Sequence, residues 1–199
     1  MKKILIILIL TILIPVSIFA SSFFDLSLGV TAAYQKAGAL EEISSGKFDV
    51  KGLRVEDFKF GIDTDFKVLF LDFNGKGFFT RNSENQHIMN GIVSTNLLLD
   101  FAIFRIKMGL GYQYLLNLET DELSYGSITT AKTFEDFKNA NFDIYAGVDI
   151  VLGDLIVNAY AALPTEASIA NSAWEYLFDT IADNWKAAQV GIGIGFSLF

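Results

Sequence analysis

The sequence predicts an all-β fold, a single antiparallel eight-stranded up-and-down transmembrane β-barrel. Three observations lead there. Apolar residues alternate with polar residues or glycine in segment after segment, and a period of two is the period of a strand with two unlike faces. The chain is 52% hydrophobic with mean hydropathy +0.40, yet after residue 20 no apolar run approaches the ~18 residues a membrane helix needs. Short connections also alternate with long polar ones, the asymmetry of a barrel with tight turns on one side of a membrane and loops on the other.

Residues 1–20 read as a secretory signal peptide. Lys2 and Lys3 form a basic start, Ile4 to Ile14 is an apolar stretch broken only by Thr11, and Pro15 and Ser17 end it. Cleavage is expected after Ala20 or Ser22, where small residues gather. The apolar stretch is short and Pro15 interrupts it, which disfavours an uncleaved anchor. There is no cysteine, so neither a lipidated N-terminus nor a disulfide framework is expected. The formal charge is −8; removing residues 1–20 takes away two lysines and no acid, leaving −10 for the barrel domain, 21–199. That charge is a poor match for nucleic acid and suits solvated outer loops.

Eight strands are expected at about 24–36, 54–67, 69–81, 87–99, 102–116, 140–151, 155–163 and 185–199. In the first, Leu26, Leu28, Val30, Ala32 and Tyr34 oppose Ser27, Gly29, Thr31 and Ala33. In the second, Phe58, Phe60, Ile62 and Phe66 oppose Asp57, Lys59, Gly61, Asp63 and Asp65. In the fifth, Phe104, Ile106, Met108 and Leu110 oppose Arg105, Lys107, Gly109 and Gly111. The sixth sets Ile144, Ala146, Val148 and Ile150 against Asp143, Tyr145, Gly147 and Asp149, and the last sets Ile192, Ile194 and Phe196 against Gly191, Gly193 and Gly195. Tight turns are expected near Lys67-Val68, Asp100-Phe101 and Gly153-Asp154, of which only the third carries a turn signal. Long polar connections fill about 37–53, 82–86, 117–139 and 164–184. The last of these holds Trp174, Tyr176 and Phe178, spaced for either a short amphipathic helix or an irregular aromatic loop.

The apolar face should point outward. Glycines crowd the other face, where eight strands close on a narrow interior. The apolar face is nearly free of charge, and a lipid-facing charge costs about 2–4 kcal/mol at the bilayer midplane. Tyr34, Tyr112 and Tyr114 stand near strand ends, where interfacial aromatics belong. Lipid cannot satisfy an open sheet edge, so the last strand must pair with the first. The interior then holds Asp57, Lys59, Asp63, Asp65, Lys76, Arg105, Lys107, Asp143 and Asp149. Buried charges must pair; Arg105 and Asp149 are expected to be neighbours, and Lys76 near Asp63 is a second candidate. Such a network either cements the barrel or lines a solute path, and a narrow barrel filled by its own side chains favours cement.

Catalytic signals are few. His87 is the only histidine, with Ser83 and Glu84 nearby in sequence; a lone histidine at a strand end is ordinarily a solvated residue. One histidine and no cysteine leave no zinc spacing. The Gly191–Gly195 alternation lacks the spacing and following helix of a nucleotide loop. Glu119, Asp121 and Glu122 suggest a solvated loop or a divalent-cation contact. No enzyme activity, metal or cofactor is expected.

The signal peptide, the alternating segments and the terminal Phe199 together resemble the small eight-stranded outer-membrane proteins, with size and loop lengths similar to OmpW- or OmpX-type barrels. The resemblance implies a location in the bacterial outer membrane, contact with outer-membrane lipid, and insertion by a barrel assembly machinery that reads a terminal Phe. Here the apolar set of the last strand runs one residue out of phase with Phe199, which shares parity with Ser197, Gly195 and Gly193. The expected role is structural or surface-interacting, with loops that meet extracellular ligands and Trp174, Tyr176 and Phe178 as a loop-four interaction surface. The alternative is a narrow porin or transporter for small or hydrophobic solutes.

Overall fold

The computed structural model describes residues 24–34, 42–43, 45–46, 49, 53–81, 85–126, 128, 132–171 and 184–198. The expected signal peptide, Phe199, and Trp174, Tyr176 and Phe178 lie outside the described residues.

The strands are β1 (Phe24–Tyr34), β2 (Phe58–Val68), β3 (Leu71–Arg81), β4 (His87–Phe101), β5 (Phe104–Asn117), β6 (Glu122–Tyr125), β7 (Asp143–Leu152), β8 (Leu155–Pro164) and β9 (Gln189–Ser197). All pairings are antiparallel, and the sheet closes on itself because β1 pairs with β9, from Ser27↔Ser197 to Tyr34↔Val190. Eight strands form the wall. The ninth, β6, is a four-residue ribbon folded back on the end of β5, Tyr114↔Tyr125 to Asn117↔Glu122. The result is a closed, up-and-down, eight-stranded barrel.

The period-two pattern sorts residues to the two surfaces. Phe60, Ile62, Met108, Ile192 and Ile194 are each at least half exposed, whereas Asp63, Asp72, Lys76, Lys107 and Asp149 are each less than 5% exposed. That inversion of a soluble fold is stable only where the outer surface meets hydrocarbon. The inward glycines make room for larger neighbours. A Cβ on Gly191 would lie 2.5 Å from the Tyr160 ring, and one on Gly193 would lie 2.7 Å from the Asn158 amide.

The three tight turns occupy Leu69-Phe70, Ala102-Ile103 and Gly153-Asp154. Each places its first residue in the left-handed region, with φ of 58° at Leu69, 61° at Ala102 and 67° at Gly153. Only one of these is glycine, so two turns escape a search for turn residues and sit about two residues later than their sequence placement. Leu69 and Ala102 hold a conformation that costs a residue with a Cβ about 1–2 kcal/mol.

Two expected strand starts are corrected. The second strand begins at Phe58, after a 3-10 turn at Val55–Asp57, and the last begins at Gln189, after one at Trp185–Ala187. Asp57 therefore lies outside the lumen, where its carboxylate accepts from the Arg54 backbone N–H at 2.9 Å.

The third long connection, expected as polar loop, contains both β6 and a helix, α1 (Phe134–Asn139). Thr133 Oγ1 accepts from the Asp136 N–H at 3.1 Å, and the Asp136 carboxylate accepts from the Thr133 N–H at 2.8 Å. This reciprocal cap offsets the short length of the helix. Phe137 packs on the outward ring of Tyr112, centroids 4.6 Å apart, and so fixes α1 against the barrel wall. Tyr112 is thereby partly covered rather than lipid-exposed. Tyr34 is likewise buried, beside Phe58 at 5.3 Å.

Candidate functional site

The inward faces build three levels, set by register. At the short-turn end, Asp25 opposes Lys67 across β1–β2, and Asp100 opposes Arg105 across β4–β5. Lys67 reaches Asp100 at 2.8 Å, while Arg105 bridges Asp25 and Asp100. Ser197 Oγ donates to the other oxygen of Asp25 at 2.6 Å, tying the last strand to the first.

The middle level centres on Lys107. Its ammonium lies 2.8 Å from Asp65, 2.9 Å from Asp149 and 3.3 Å from Asp72, on three different strands. Just above it, Lys76 contacts Asp63 at 2.6 Å. Asparagine amides donate further hydrogen bonds to these carboxylates. Asn74 donates to Asp63 at 3.0 Å and Asp65 at 2.7 Å, Asn158 to Asp63 at 2.6 Å, and Asn96 to Asp72 at 2.8 Å. These two levels hold six carboxylates against four cations. The excess negative charge is spread over asparagine amides, which solvate a carboxylate as water would.

Above the charges lies an apolar layer of Ala33, Phe78, Ile92, Tyr145, Tyr160 and Ala162. Tyr145 and Tyr160 stack nearly parallel at 5.9 Å, and the Lys76 ammonium sits 4.5 Å from the Tyr160 ring centre, beneath this layer. The layer separates the network from a polar mouth of about 250 Å³ lined by Lys59, Asn90, Gln113, Ser124 and Gln189. Asp143 stands at this end and accepts from Gln113 at 2.7 Å.

Of the residues singled out in the sequence, Asp63, Asp65, Lys76, Arg105, Lys107 and Asp149 come together in the lumen. Lys59 and Asp143 lie at the mouth, and Asp57 lies outside. Arg105 and Asp149 are the cross-strand neighbours expected, but each finds its ion-pair partners elsewhere. Lys107, one inward step along β5, takes Asp149, and the longer Arg105 turns to the two carboxylates at the short-turn rim. Sequence reasoning missed Asp25, Lys67, Asp72 and Asp100. Asp25, Lys67 and Asp72 lie near the ends of expected strands and Asp100 one residue past one; parity exposes all four, because they keep the inward phase of Ser27, Asp65, Lys76 and Asn96.

The remaining candidates are exposed. The His87 backbone N–H donates to Glu119 at 3.1 Å, and its side chain is solvated at the rim; Ser83 and Glu84 lie outside the described residues. Glu119 and Asp121 lie in the β5–β6 turn and Glu122 opens β6; the turn's N–H groups at 119 and 120 are capped by Asn117. Among the described residues no group of three or more acidic or histidine side chains is placed to hold a metal ion.

No family of known proteins matches the chain, and no curated protein matches it in sequence. Among solved structures it is similar to the crystal structure of Neisserial surface protein A (NspA), at 11% identity and a TM-score of 0.38, covering 88% of this chain and 97% of that one.

Proposed function

We propose that the chain is a non-conducting outer-membrane barrel whose loops carry a structural or surface-interaction role. One observation carries this reading: a closed wall with an apolar outer surface surrounds an interior filled by paired charges and roofed by Phe78, Ile92, Tyr145 and Tyr160. The outer surface is suited to hydrocarbon and the filled lumen opposes passage of solutes. Function then falls to the elements beyond the wall, among them the β5–β6 ribbon and α1. Its partners would be outer-membrane lipid, the assembly machinery during insertion, and an extracellular ligand or surface. In planar bilayers the purified barrel should give no current steps above bare membrane. Reproducible steps would overturn the sealed reading and restore the narrow-porin alternative. Deleting 172–183, with Trp174, Tyr176 and Phe178, should leave insertion intact and lower cell adhesion; unchanged adhesion would remove loop four from the interaction surface.

A further inference from the structure

The outer wall carries a trench. Across the strands, Met108, Ala146, Ala161 and Val190 lie in one outward row, and Ile106, Val148, Ala159 and Ile192 in the next. The middle of the two rows is low at Ala146, Ala161 and Ala159, where alanine stands in place of the larger side chains of the belt. Ile43 and Leu53, from the connection between β1 and β2, line the loop end of the same hollow. Its volume is about 580 Å³ and its lining is almost wholly apolar.

Two occupants are disfavoured by chemistry. Water would find no hydrogen-bond partners on such a lining. An empty hollow would forfeit dispersion contacts along its whole length. The trench runs without a polar break into the apolar belt, so what touches the belt also reaches the trench. We propose that it is a binding site for one acyl chain of an outer-leaflet lipid, which lies along the strands with its upper part beneath Ile43 and Leu53. This inference rests on the membrane reading above. It differs from general solvation by lipid because walls on both sides and apolar loop side chains at one end hold a single chain in place.

The test uses the full barrel refolded into phosphatidylethanolamine–phosphatidylglycerol vesicles, extracted into mild detergent and weighed by native mass spectrometry. The wild type should retain one phospholipid. The double variant Ala159→Leu/Ala161→Leu fills the trench and should lower the lipid-bound fraction about tenfold, a change of one decade in the binding constant. Phe79→Leu, on the exposed face of β3 and outside the trench lining, should leave it unchanged. Equal retention in all three proteins, no retained lipid in the wild type, or a dimer seated through this face would overturn the proposal. Should the double variant fail to insert, Ala146→Leu on the next strand carries the same expectation. Insertion is read separately, by heat-modifiable gel mobility and protease protection. Inserted wild type without lipid sinks this inference alone, and wild type that does not insert sinks the membrane reading with it.

Discussion

Lys107 on β5 bonds to Asp65 on β2 at 2.8 Å. Two strands, β3 and β4, separate them around the wall, so the ion pair spans the lumen and joins opposite sides of the barrel. A pair of that kind bridges strands that share no backbone hydrogen bond, and it makes the central lysine a cross-brace.

Replacing Lys107 by Met should therefore be among the most damaging single changes. It leaves Asp65, Asp72 and Asp149 buried together without their shared cation, and breaking a buried pair costs about 3–5 kcal/mol. Urea unfolding of the vesicle-inserted barrel measures the loss. Adding Asp65→Asn and Asp149→Asn to the same chain should recover part of it; no recovery would mean that packing, not charge, is what Lys107 supplies.

The two faces can be read chemically, because the chain has no cysteine of its own. Single cysteines at Phe60 and Ile106 should react with a membrane-dissolved maleimide and resist a water-soluble one. Cysteines at Ser94 and Asn158 should resist both while the barrel is folded, since both positions are less than 7% exposed. Reaction of Phe60→Cys and Ile106→Cys with the water-soluble reagent in intact vesicles would invert the assignment of the faces.

Ala102→Gly should stabilise the barrel. Ala102 sits at φ 61°, a region that glycine enters without its Cβ meeting the following carbonyl. Relief of that conflict, less glycine's extra chain entropy, leaves about 0.5–1 kcal/mol. The urea midpoint should rise with an unchanged slope.

The loop-three helix should be acid-sensitive. Asp136 is held below its ordinary carboxyl value of 3.8, first by the Lys132 N–H and then by the Thr133 hydroxyl and N–H that bond to it. A carboxyl depressed in the folded state lends its stability above the unfolded value and loses it as pH falls through the folded one. The α1 amide signals should therefore be constant from neutral pH to about 4 and shift only below that. Asp136→Asn should remove the transition; its persistence would assign it to another group.

The wall was legible in the sequence and its interior only in part. Alternation is a local property, since successive side chains in a strand must face opposite ways. The runs through Phe60–Phe66, Ile106–Leu110 and Ile192–Phe196 therefore determined both the strands and their outward surface. Closure also followed, from the cost of an unpaired edge in hydrocarbon. The left-handed turns at Leu69 and Ala102 carried no glycine or asparagine to announce them. The capping box at Thr133–Asp136 was short enough to pass for loop.

By itself, then, the sequence determined which face of each wall strand points in, which points out and how many strands build the wall. Which inward charge meets which was decided by the tertiary structure, because strand register and stagger set the height of each residue across a lumen that the linear pattern does not measure. That is why Arg105 and Asp149, adjacent on neighbouring strands, take other partners, and why Lys107 finds Asp65 on the far wall.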